Sequence, residues 1–297
     1  MLQFFIDTLM RTSDLALVAL GLSMLYGLVK FPNIAHVQYA MVGAFLAYWL
    51  YGLGLPLALA LVVGAGLTGL ITLLVQLLVF DRLLQSGPSI AMIGSLAVSM
   101  LLVAIVLGVA GSFPHMFVLP NMEPVLIGDA RLSRAQLWMV LTTAVLLVVF
   151  LVLLFYTQAG RAMRALASNR ALADASGLNA SRITNVVTLL SGALAGLGGG
   201  MLAISGGAHV NLGHDMLLPV FAAAILGGLG NPIGAVAGAF LIALAETTVT
   251  NINFGPMLGE SLVFLPASYI GAAAFLILLL ALLFKPYGLF DKEVRRV

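Results

Sequence analysis

The chain has 297 residues, of which 62% are hydrophobic and 8% charged, with 13 basic and 11 acidic side chains and a formal net charge of +2. A soluble domain carries roughly 25% charged residues, so too little polar surface exists here to coat a water-soluble particle, and a soluble enzyme, a nucleic-acid binder and a disordered chain are excluded. Cysteine is absent, which removes disulfides and thiolate metal sites.

The first fourteen residues, MLQFFIDTLMRTSD, set Asp7 and Asp14 around a lone Arg11. They lack the basic start and small-residue cleavage site of a secretory signal, so this segment is expected to be retained. Apolar runs of about 17 to 25 residues follow, the length that crosses a roughly 30 Å hydrocarbon core. Spans are expected near 15–31, 37–53, 56–79, 89–110, 136–156 and 185–205, then two shorter segments near 217–229 and 233–249, and a last span near 266–284. The expected fold is all-α, a polytopic transmembrane helical bundle of about eight to nine membrane segments, forming one transmembrane domain over 1–297.

Within the first span, Gly21-Leu22-Ser23 fits a G-x-S pattern, and His36, His209 and His214 offer bases for an intramembrane hydrolase. Three letters recur by chance in helices of this composition, and such a serine more often bonds back to its own helix. His36 follows Pro32-Asn33 at a span boundary. A lone histidine there reads first as a structural hydrogen-bonder and second as a pathway residue. The loop 111–135 contains VLIGDARLS, short β-prone flanks around Gly128-Asp129, which predicts a small hairpin serving as a connector or, alternatively, a docking surface.

The loop 157–184 holds Arg161, Arg164, Arg170 and Arg182 against Asp174 alone, and the tail 285–297 holds Lys285, Lys292, Arg295 and Arg296. The positive-inside rule makes both regions cytoplasmic, places Lys30 and Arg82 on the same side and leaves the N-terminus outside. Arg131 and Arg134 then lie outside, balanced by Glu123 and Asp129. The helix leaving the membrane is expected to run to about Ala167, with Ser168 or Asn169 capping a short new helix. Gly177 suits the position past its end, and Asn179 or Ser181 suits the cap of the next span.

Glycines spaced four apart, at 192, 196 and 200 and again at 230, 234 and 238, predict close helix packing in lipid. The break Gly227 to Pro232, including Gly228 and Asn231, predicts irregular backbone of the kind that lines transport pathways. Glu246, on the 233–249 segment, is an ionisable group at or near membrane depth and so a functional candidate. Asp14 and Asp215 are expected at the membrane interface.

The stretch GRAMRALASNRALADASGLN resembles the cytoplasmic loop of the branched-chain amino-acid ABC transporter permeases, the LivH/LivM class, in particular its LivH-like members. NIAHVQYAMVGA at 33–44, FAAAILGGLGNPIGAVAGAFLIALAET at 221–247 and KPYGLF at 285–290 agree in order, so the resemblance spans nearly the whole chain. Where those permeases usually read Asn-Phe-Ala-His-Gly-Glu, this chain has Asn33, Ile34, Ala35, His36, Val37 and Gln38. It therefore lacks a glycine and an acid of that pattern, which leaves room for a different solute.

The resemblance implies a non-enzymatic permease subunit of an ABC importer in a bacterial inner membrane. Its implied partners are two cytoplasmic ATPase subunits, a second homologous permease (a heterodimer being favoured over a homodimer), an extracytoplasmic solute-binding protein and the lipid bilayer, with no nucleic acid. It implies no cofactor in this chain, ATP and Mg being used by the ATPases; the only lysines, Lys30, Lys285 and Lys292, follow no phosphate-binding loop. The implied solute is a branched-chain or other apolar amino acid, with urea or short amides as the alternative; an ion-coupled secondary transporter would want more intramembrane carboxylates. The implied coupling residues are Arg161, Arg164, Arg170, Ala171, Leu172, Asp174 and Gly177. Pathway candidates are Asn33, His36, Gly227, Gly228, Asn231, Pro232 and Glu246.

Overall fold

The computed structural model describes residues 2–119, 125–127, 130–252, 270–285 and 288–290. The first helix, α1 (Leu2–Val29), begins well before the expected span because Asp7, Arg11 and Asp14 do not interrupt it. α2 (His36–Gly52) and α3 (Leu57–Val75) follow. The last of these continues through a π-helical turn, Gln76–Phe80, into α4 (Asp81–Gln85) and makes one apolar helix of 29 residues. α5 (Pro88–Ala110) returns across the bundle, and strands β1 (Val125–Ile127) and β2 (Ala130–Leu132) pair antiparallel, as the hairpin expectation required. The turn residues Gly128 and Asp129 lie outside the described residues.

α6 (Arg134–Tyr156) starts at a capping box made by Ser133 and Gln136. After it come α7 (Gln158–Ser168), α8 (Arg170–Ala175), α9 (Ala180–Gly206), α10 (Leu212–Gly227), α11 (Pro232–Asn251) and α12 (Ile270–Phe284). Six of these helices are long and apolar enough to cross a membrane; α10 and α12 are shorter, whereas α11, expected to be partial, has full crossing length.

α9 is the central post. Its glycine run packs on three neighbours at once. A Cβ on Gly198 would meet Val18 of α1, one on Gly199 would run into the Ala40 carbonyl of α2, and ones on Gly192 and Gly196 would meet Thr72 and Thr68 of α3. In lipid, where association depends on van der Waals contact, small residues of this kind set how closely helices approach. Exposed leucines, valines and isoleucines cover the outer faces of α3, α5 and α6, as bilayer contact demands.

α2 does not begin at the membrane surface. Its first residue, His36, contacts the Val18 carbonyl at 3.2 Å and Ser191 at 3.5 Å. Both partners lie eleven residues inside their helices, about 16 Å at 1.5 Å per residue. The chain from Lys30 to Ala35 therefore re-enters the bundle as non-helical backbone, tolerated there because protein surrounds it. Phe31, Asn33 and Ala35 are buried, and the Ile34 amide donates to Ser95 Oγ at 3.0 Å.

Candidate functional site

One end of the bundle gathers the basic loop, Lys30 and Arg82. Lys30 Nζ donates to the Ala167 carbonyl at 3.1 Å, and Arg170 shares a cavity with Asp81 and Gln85 next to Arg82. The segment after α12 returns here too, Leu289 N donating to Leu226 O at 2.8 Å. Lys292, Arg295 and Arg296 lie outside the described residues.

The helix leaving the membrane is not continuous to Ala167. It stops at Tyr156, where Thr157 turns extended (φ −96°, ψ 160°), accepts from the Gly160 amide and caps α7. Two side chains close this elbow: Thr157 Oγ1 donates to the Leu153 carbonyl, and the Arg164 guanidinium donates to the Leu154 carbonyl while lying 5.1 Å from the Phe155 ring centroid. Arg164, expected to meet a partner, is thus folded back on the end of α6, where a cation suits the last-turn carbonyls.

Asn169 is the cap of α8, accepting from the Leu172 amide at 3.0 Å; Gly177 takes φ +83° past its end, and Asn179 caps α9. Ala173 alone of α8 is buried, whereas Arg170, Ala171, Leu172 and Asp174 are exposed, Leu172 at 66%. The result is a six-residue helix seated on one methyl group with its other faces free. Asn169→Ala removes about 1 kcal/mol of capping. Amide exchange in α8 is expected to quicken roughly fivefold while exchange in α9 stays unchanged, measured by hydrogen–deuterium exchange mass spectrometry.

The break at Gly227 to Pro232 sits at this same end and not at mid-depth. Gly228 (φ +97°) and Gly230 (φ +91°) turn the chain between α10 and α11, and Asn231 caps α11. Gly227 abuts Gly234, Gly230 abuts Gly27 of α1, and Gly288 rests on Gly228. Between this turn, α1 and the elbow of α6 and α7 lies a cavity of about 320 Å³ whose lining includes Gly27, Leu154, Arg164, Gly230 and Asn231. A second stretch of irregular backbone, residues 30–35, enters the bundle more deeply.

At mid-depth, His36 is fully buried and bonded to Val18 and Ser191; Asn33 and Gln38 are 1% and 3% exposed and Ser23 is fully buried. His36 reaches Ser191 and not Ser23, and His214 lies in the first turn of α10, so no base faces Ser23 among the described residues.

Toward the opposite end, Glu246 of α11 is 2% exposed and accepts from Arg11 Nε of α1 at 2.6 Å. Asp14, expected at the interface, is 13% exposed and lies 3.9 Å from the same guanidinium; Asp215 is exposed in the first turn of α10. Arg11 went unrecognised as a functional residue. Its signal was available: an arginine three residues before an aspartate in a helix otherwise apolar enough to span.

A bundle of spanning helices with a capped polar loop at one end and polar side chains buried inside defines a multi-pass helical membrane protein. A family model described as the permease component of a branched-chain amino acid transport system matches residues 4–284, and the chain belongs to that family. It is 32% identical to the probable branched-chain amino acid transport permease protein LivH of Methanocaldococcus jannaschii, over 93% of this chain and 88% of that one. It is 26% identical to the high-affinity branched-chain amino acid transport system permease protein LivH of Escherichia coli K12, over 96% and 94%. With the corresponding protein BraD of Pseudomonas aeruginosa the figures are 27%, 100% and 98%. Among solved structures, PsaBC from Streptococcus pneumoniae in complex with Fab aligns at a TM-score of 0.49 with 12% identity, covering 94% of this chain and 91% of that one.

Proposed function

We propose that this chain forms the translocation path of an ABC importer for branched-chain or other apolar amino acids. A binding protein outside a bacterial inner membrane delivers the solute, and separate cytoplasmic ATPase subunits, using ATP and Mg, drive the transport. The single observation that carries this reading is α8, a capped six-residue helix presented on the basic end of a chain whose relatives are named as branched-chain amino acid permeases. The bulky Leu172 on an otherwise small helix suits insertion into a cleft on an ATPase. Arg161, Arg170 and Asp174 flank it with charge.

In this arrangement the 157–184 loop and the C-terminus face the cytoplasm and the 111–135 loop faces outward. A second, homologous permease completes the path, and we favour a heterodimer. Closure of the ATPases moves α8, and the motion passes through the α7 elbow to α6, α9 and the α10–α11 turn packed on Gly27. The buried re-entrant turn with Asn33 and His36 sets the mid-depth constriction. In proteoliposomes holding the assembled transporter, leucine uptake is expected to require ATP and both ATPases. Uptake by the permease alone under a proton or sodium gradient would contradict this reading.

A further inference from the structure

The Arg11–Glu246 pair borders a cavity of about 230 Å³ whose lining is Asp7, Arg11, Glu246, Thr247, Thr250 and Asn251. Eighteen residues of α1 separate Arg11 from Val29, about 27 Å, so the cavity lies toward the end of the bundle away from α8. Glu246 uses one oxygen on Arg11; the other, Oε1, is buried with no hydrogen-bond partner among the described residues. A purely structural ion pair does not require a cavity, and a buried orphan acceptor costs free energy that a ligand or water recovers. Thr250 Oγ1 donates to the Glu246 and Thr247 carbonyls and Asn251 Nδ2 donates to the Thr247 carbonyl, so both side chains keep acceptor oxygens available. Arg11 presents a fork of five N–H donors, of which Nε alone is engaged at hydrogen-bond distance among the described residues.

We infer that this cluster receives the charged head group of an α-amino acid, the carboxylate on the Arg11 guanidinium and the ammonium on Glu246 Oε1, Thr250 and Asn251. The inference rests on the amino-acid import proposed above and adds a site to it. Guanidinium and carboxylate form the strongest hydrogen-bonded pairs available to side chains. The lining contains no aliphatic side chain, so the site reads the head group and leaves the solute's side chain to other surfaces. Urea, which carries neither charge, can make only single-charge hydrogen bonds here and forgoes the paired charges that an amino-acid head group offers.

The test uses the full chain in lipid nanodiscs without a binding protein, and reads the thermal midpoint against concentration of L-leucine, leucinol, 4-methylpentanoate and urea. Leucine is expected to raise the midpoint. Leucinol, which lacks the carboxylate, and 4-methylpentanoate, which lacks the ammonium, are expected to need at least about tenfold higher concentration, the scale of one charge-assisted bond. Urea is expected to give the weakest response of the four. Glu246→Gln and Arg11→Lys are expected to weaken the leucine response about tenfold, and Asn251→Leu, at an exposed position, about threefold with the unliganded midpoint kept. Equal responses to leucine, leucinol and 4-methylpentanoate, or no response to leucine, overturn the site. ATP-driven leucine uptake by the wild-type transporter is measured alongside: its absence refutes amino-acid import itself, and its presence with unselective or missing binding refutes this site alone.

Discussion

Gly199→Val is expected to cost about 3 kcal/mol of stability, the upper end of what overpacking a core inflicts. A Cβ there runs into the Ala40 carbonyl, carbon and Cα. Those are backbone atoms of α2, which cannot rotate aside as a side chain does. α2 in turn is held at its first turn by His36 between Val18 and Ser191, so retreat would break the buried polar contacts at mid-depth. Gly66→Val is the matched control. Gly66 is exposed on α3 with nothing within 4 Å of an added Cβ, and its replacement is expected to be neutral or mildly stabilising. Thermal unfolding followed by size-exclusion chromatography of the detergent-solubilised protein separates the two. Equal midpoints for both variants would contradict the central role of α9.

The second large effect belongs to α8. Only Ala173 seats this helix on the bundle, while Leu172, at 66% exposed, contributes nothing to holding the fold. Leu178 N nevertheless reaches back to the Ala173 carbonyl at 3.1 Å and Gly177 N to the Asp174 carbonyl at 3.0 Å, so the helix end is closed on itself as a stiff turn. Stiffness is what a transmitter of motion needs: a push on α8 displaces its neighbours instead of being absorbed. Replacement of residues 170–177 by a Gly/Ser linker removes both the exposed leucine and the closed turn, yet touches only one buried methyl group. Bundle stability is therefore expected to change little, and coupled transport to fall to background.

Much of this architecture was legible in the sequence because a bilayer is a demanding solvent. Span lengths follow from its thickness, and the caps of α8 and α9 were announced by Asn169 and Asn179, whose side chains suit that task. The glycine spacing named the packing face, although not that α9 would serve three neighbours. Less legible was anything set by a side chain chosen among equals. The Thr157 elbow looked like uninterrupted helix because threonine is permitted inside one, and the break was decided by Arg164 and Thr157 bonding the last carbonyls of α6. Glycine and proline drew attention to 227–232, which is a buried to half-buried turn at the α8 end of the bundle. The segment 30–35 enters the interior with only Pro32 to mark it, and its Ile34 amide is satisfied by Ser95, a partner 61 residues away. Glu246 was visible as a lone acid; its partner Arg11 was 235 residues away.

Work from a separate ATPase is proposed to enter through α8, and ATP-driven leucine uptake by proteoliposomes carrying the 170–177 linker variant is the sharpest test of that proposal. The variant is assembled with the same ATPase subunits, second permease and binding protein as the wild type, and its thermal midpoint is checked first. The expected result is a folded, membrane-inserted chain whose uptake is lost, with weakened retention of the ATPases on purification. Uptake at the wild-type rate, with the ATPases still bound, would contradict it.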